Sequence, residues 1–315
     1  MKRLIATAAL GAMLTAGGAL AQDDWPTDDV LFVTHSSPGG GSDVLARAIC
    51  RAMQDITEHS CTVENHTGGS GAVALLYMAN NAETDGHTLM TVTPTQIITP
   101  LRSEGIPNYQ QMTPIARLFM DPALLYVRAD SPYQDAGDMM DALTENPGDI
   151  TWGIGSAGSL DQLVIQQTEE AAGVDVRIVP HEGGGDAKTA VLGGHVDAAL
   201  GEPAELVSQI DSGDIRVLAT YTEERLDILP DVPTMMELGY DVASTKFRGV
   251  FGPPGLDDAM VERIAARLEQ LYDAETFKEY YVPGALQPAF IHGDEFVEFL
   301  GRSNDRIAAF LAEQQ

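Results

Sequence analysis

The chain has 315 residues, with 18 Lys and Arg against 47 Asp and Glu and a formal net charge of −29. An acidic excess of this size excludes nucleic acid as a natural partner, because holding a phosphate backbone needs clustered cations. The carboxylates read as a solvated, self-repelling surface suited to salty surroundings, where screening is strong.

Met1-Lys2-Arg3 precede an apolar run from Leu4 to Leu20 that ends in Ala19-Leu20-Ala21. A basic start, an apolar middle and small residues at the end form an export signal, so cleavage after Ala21 is expected. A membrane anchor is the alternative, but the run is short and rich in Ala and Gly, and no later apolar run approaches spanning length.

Leu31-Phe32-Val33 reads as a strand, and Val44, Leu45, Ala48, Ile49 and Ala52 share one face of a helix after it. Cys50 falls on that helix and Cys61 at the start of the next strand, close enough to bridge after export; the sequence leaves bridge and free thiols equally open. Further strands are expected at Thr88–Thr93, Leu124–Val127, Ile150–Ile154, Val176–Val179, Val196–Leu200 and Arg216–Thr220. Helices are expected between them at Ala136–Glu145, Leu160–Ala172 and Ala187–Leu192. This alternation predicts the α/β class with parallel sheets under covering helices. A last amphipathic helix carries Phe296, Val297, Leu300, Ile307, Phe310 and Leu311.

Between the first strand and its helix lies His35-Ser36-Ser37-Pro38-Gly39-Gly40-Gly41-Ser42-Asp43. Glycines let a ligand approach backbone N–H groups, and a helix start leaves such groups unsatisfied at the positive end of its dipole. A small anion is the natural occupant. Gly153 to Ser159 repeats the logic, with Ser159 and Gln162 spaced for a capping box. Glu182-Gly183-Gly184-Gly185-Asp186 is a weaker third instance. All three fall at the carboxyl ends of strands, where open α/β sheets bind ligands. None is a standard nucleotide motif, and one such loop alone is more often a tight connection.

Ser37 to Arg47, Gly155-Ser156-Ala157-Gly158, Val179 to Gly184, Leu192 to Asp197, Leu229 to Thr234, and Phe247-Arg248-Gly249 with Pro253-Pro254-Gly255 occur in this order. As a set they resemble the substrate-binding proteins of tripartite tricarboxylate transporters, the Bug-type family, over essentially the whole chain after the leader. The resemblance implies a periplasmic-binding-protein fold of the second type, with two α/β lobes closing on a ligand. Lobe 1 is expected over 22–122 plus 246–315 and lobe 2 over 123–245. It implies a periplasmic protein, by default a monomer, that hands a small di- or tricarboxylate or related acid to a two-component membrane permease. It implies no enzymatic activity, cofactor or metal.

The positions matching the family's ligand loops are Ser36, Ser37, Gly39, Gly40, Gly41 and Ser42 on one side, and Ser156, Ala157, Gly158 and Ser159 on the other. Thr93, Thr95, Gly183 and Gly184 fall where the family lines its cleft. The chain departs from the family in two places: His35-Ser36-Ser37-Pro38 replaces a common Phe-Pro-Pro, and Phe247 stands where Trp is frequent. Arg248, on an expected crossing strand, is the cation best placed to fork onto a ligand carboxylate; pairing with the protein's own acids is the competing use.

Three other readings compete. An exported hydrolase would use Ser156, but a nucleophile elbow wants Gly where Ile154 stands, and neither His181 nor His195 is clearly placed as base. His59, Cys61, Glu64 and His66 cluster in sequence without a standard zinc spacing. A ligand-sensing protein would use the same two lobes.

Overall fold

The computed structural model describes residues 25–313. The expected leader 1–21 and its cleavage point lie outside them.

The chain first lays down β1 (Val30–Thr34), α1 (Gly41–Met53), β2 (Cys61–Asn65), α2 (Ala72–Asn80), β3 (Thr88–Val92), α3 (Thr95–Arg102) and β4 (Thr113–Pro122). A single residue, Ala123, separates β4 from β5 (Leu124–Arg128). There follow α4 (Ala136–Glu145), β6 (Thr151–Ile154), α5 (Leu160–Ala172), β7 (Arg177–Pro180), α6 (Gly184–Leu192), β8 (Ala198–Gly201), α7 (Pro203–Ser212) and β9 (Ile215–Thr220). The chain then returns through β10 (Thr245–Gly252), α8 (Asp258–Gln270), α9 (Glu275–Tyr281), β11 (Gln287–His292) and α10 (Gly293–Glu313).

Two sheets result, one of six strands in the order β11-β4-β10-β3-β1-β2 and one of five in the order β7-β6-β8-β5-β9. Each has apolar clusters on both faces. Phe32, Leu45, Ile49 and Phe119 fill one side of the larger sheet, and Val33, Leu75, Met90 and Phe296 the other. Trp152, Leu125 and Ile165 fill one side of the smaller sheet, and Tyr126, Val191 and Leu206 the other. Covering both faces of a sheet takes helices above and below, which is why strands and helices alternate along the chain.

The sheets are mixed, which corrects the expectation of parallel ones. β1 is parallel to β2 and β3, and β6 to β7 and β8, as strand–helix–strand units require. β10 pairs antiparallel with β3 and β4, and β5 antiparallel with β8 and β9. These are the strands that carry the chain between the sheets, so they arrive from the opposite direction. The joint is tied across: Tyr221 N donates to Ala123 O at 2.9 Å, and Ser244 N to Tyr221 O at 2.7 Å.

Cys50 and Cys61 are joined by a disulfide that pins α1 to β2. The bridge that the sequence left open is therefore present.

Candidate functional site

Three helices begin at one place. α1 starts after Gly40, α5 after Ser159 and α6 after Gly183, and at none of the three does a cap side chain accept from the first N–H groups. The two sheets bring these ends together around a cavity of about 50 Å³. The loops before α1 and α6 touch: Asp186 N donates to Ser37 Oγ at 3.2 Å, and Lys188 Nζ to Gly39 O at 3.3 Å. Ser70 Oγ closes a third side by donating to Ala157 O at 2.5 Å. Two glycines are required by this approach, since a methyl group on Gly41 would run into the Arg248 guanidinium and one on Gly183 into Ser37.

Of the expected ligand residues, Ser36, Gly41 and Ser42 line the cavity from the first loop, and Thr93 and Thr95 from the start of α3. Ser156 and Ser159 line it from the second loop, Gly183 and Gly184 from the third, and Arg248 from β10. Ser37, Gly39, Gly40, Ala157 and Gly158 do not line it. Ser37, Gly39 and Ala157 make the contacts between loops given above, and Gly40 N turns back to Ser37 O at 3.0 Å. Gly158 N donates to Gln162 Oε1 at 2.6 Å. That last bond corrects the capping box: Ser159 is the cap residue, but Gln162 is spent one residue earlier and Ser159 Oγ, buried, has no partner.

The floor carries charge that the sequence reading overlooked. Lys246 and Arg248, two residues apart on β10, point to the same side. Lys246 pairs with Asp161 at 2.7 Å and with one oxygen of Glu202. Arg248, 2 % exposed, pairs with Asp121 through Nε and reaches the other oxygen of Glu202 at 3.2 Å. The guanidinium fork expected to face a ligand is thus engaged by the protein's own carboxylates. Glu205 completes the set; its Oε1 accepts from Glu202 N at 3.2 Å, within the capping box that opens α7. Lys246-Phe247-Arg248 with strand period, and Glu202-Pro203-Ala204-Glu205 as a helix start, were the available signals.

Burial and mutual repulsion set the protonation of this group. Burial pushes Asp121 up to about 7 in spite of Arg248. Burial, with the charge of Glu202, pushes Glu205 up to about 8. Glu202 is also desolvated, but Lys246 and Arg248 outweigh that and hold it below its ordinary value. Lys246 lies above its ordinary value because Asp161 and Glu202 outweigh its burial. His35, in the cavity wall, is lowered to about 4 by burial and then by Arg248 and Lys246, so its ring is neutral at pH 7.

The competing chemistries gain nothing from the geometry. Among the described residues no histidine is hydrogen-bonded to Ser156, and His181 Nδ1 lies 3.3 Å from Ile154 O. In the suspected metal run, Cys61 is held in the disulfide, while His66 Nε2 lies 3.0 Å from Glu64 Oε2.

The model of the tripartite tricarboxylate transporter family receptor matches residues 45–314. Protein BugT of Bordetella pertussis is 25% identical over 315 residues, covering 98% of this chain and 94% of BugT. The UPF0065 protein in the gbd 5′ region of Cupriavidus necator is 29% identical over 301 residues, covering 93% and 89%. The fold is that of the periplasmic binding protein BugD, with a TM-score of 0.85, 21% identity and coverage of 92% and 98%. MatC from Rhodopseudomonas palustris, solved with bound malate, gives 0.81 at 22% identity, covering 91% and 99%. R. palustris Rpa4515, solved with adipate, gives 0.84 at 23% identity, covering 91% and 98%. The chain belongs to the tripartite tricarboxylate transporter receptor family, whose members are periplasmic solute-binding proteins and not enzymes.

Proposed function

We propose that this protein captures a small organic carboxylate in the cavity between its two sheets and hands it to a two-component membrane permease. The observation that carries the reading is the meeting of three helix starts without side-chain caps, from α1, α5 and α6, on one polar cavity. Each offers N–H donors and the positive end of a dipole at short range, where the distant acidic surface is screened. The malate of MatC and the adipate of Rpa4515 support the ligand class. Ser36, Ser42, Thr93, Thr95, Ser156 and Ser159 are the hydroxyls that face the carboxylate, with backbone donors from Gly41, Gly183 and Gly184. The lobes are residues 22–122 with 246–315, and 123–245. The mature protein begins after Ala21 and acts as a periplasmic monomer.

A thermal-shift screen of the mature chain against malate, succinate, adipate, citrate and amino acids tests the reading. A ligand at a hundred times its Kd adds about 2.7 kcal/mol to the folded state, enough for a clear shift. Stabilisation by neutral sugars or metal cations alone would sink it.

A further inference from the structure

We infer that the solute carries an ammonium group beside its carboxylate, as an amino acid does; the inference rests on the carboxylate reading above. The cavity has two cations, and both are already satisfied by protein carboxylates. Glu202 bridges Lys246 and Arg248, while Asp161 takes a second side of Lys246 and Asp121 a second side of Arg248. Glu205 is surplus to these pairs. Its residue is 4 % exposed, it lines the cavity, and its Oε2 is buried without a hydrogen-bond partner.

A buried acceptor without a donor is costly, and a solute that brings only carboxylates adds further acceptors to a wall that already has too many. An ammonium brings three donors and a positive charge. Glu205 Oε2 can take one of them while the helix starts take the carboxylate. The two positions are neighbours: a methyl group built on Gly184, at the start of α6, would lie 2.6 Å from Glu205 Oε2. A carboxylate on the N–H groups of α6 therefore sits beside an ammonium on Glu205, the close spacing of an α-amino acid. The charged groups acting on Glu205 are Glu202, Lys246, Arg248 and Lys188, with the Tyr126 phenol nearby. An arriving ammonium lowers the carboxyl from its raised value, so binding near neutral pH releases a proton. The opposite arrangement, a protonated Glu205 donating to a second carboxylate, would instead favour dicarboxylates and take up protons.

Calorimetry on the mature chain separates these outcomes with matched pairs: L-aspartate against succinate, L-glutamate against glutarate, and L-alanine against propanoate. The expected result is a preference of about 30-fold or more for the amino member of at least one pair, with proton release seen by changing the buffer. Glu205→Gln should weaken that ligand by at least about tenfold. Succinate or glutarate binding as tightly as its amino partner overturns the ammonium inference and leaves carboxylate capture standing. Undiminished amino-acid binding by a folded Glu205→Gln protein also overturns it. Neutral sugars binding in place of both classes would remove the two readings together.

Discussion

Lys246 on β10 and Asp161 on α5 form a 2.7 Å ion pair that joins a strand of the six-stranded sheet to a helix packed on the five-stranded one. Both side chains are largely buried, and Glu202 shares the same ammonium. Removing a single partner strands the others, which costs far more than the intact group contributes over an apolar replacement.

Lys246→Met is therefore expected to lower the unfolding free energy by about 3–5 kcal/mol. Urea denaturation measures it, and adding Asp161→Leu and Glu202→Leu should recover part of the loss. A Lys246→Met protein as stable as the parent would mean that water reaches both carboxylates.

The raised carboxyls make stability depend on pH. The folded chain keeps protons on Asp121, up to about 7, and Glu205, up to about 8, that the unfolded chain gives up nearer 4. The unfolded state binds fewer protons across that window, so this group's contribution falls as pH rises from about 4.5 to about 8. Thermal melts across the window should show the parent losing more stability than Glu205→Gln. Parallel curves would place the raised carboxyl elsewhere.

Gly41 offers a steric test. A Cβ at this position runs into the guanidinium of Arg248, which is itself held by Asp121 and Glu202. Gly41→Ala should cost about 1–3 kcal/mol through this overpacking. It should also weaken solute binding, because the displaced side chain enters the cavity. Unchanged melting and unchanged affinity would show that Arg248 has room to move.

Cys50 and Cys61 close a loop with a sequence separation of 11. Chain entropy alone predicts that replacing both by Ser lowers stability by about 2–4 kcal/mol, with a larger effect in the parent than in protein already reduced. Denaturation with and without reductant measures it.

The strand and helix frame was legible because each element announces itself locally. α4 and α5 occupy Ala136–Glu145 and Leu160–Ala172 as read, each following a polar cap residue and preceding a break, Gly173 in left-handed geometry for α5. The charged floor was not legible, and the reason is distance in sequence. Lys246 meets Asp161 and Glu202 across most of the second lobe. Among 47 acidic residues, nothing local marks Asp121, Asp161, Glu202 and Glu205 as the ones that become buried. The third loop, ranked weakest in the sequence, supplies Gly183 and Gly184 to the cavity because α6 happens to face α1.

The joint between the sheets is a short ladder, Ala123 to Tyr221 to Ser244, with Asp121 two residues before its first rung and Lys246 two after its last. Any rotation of one sheet against the other must be taken up in those few peptides. The torsions that open the molecule are thus covalently geared to the side chains that set the charge of its floor. Swinging the lobes apart and re-pairing Lys246 are one movement, so the resistance of this protein to opening has a large electrostatic share, and salt should be felt in its opening rate as well as at its surface.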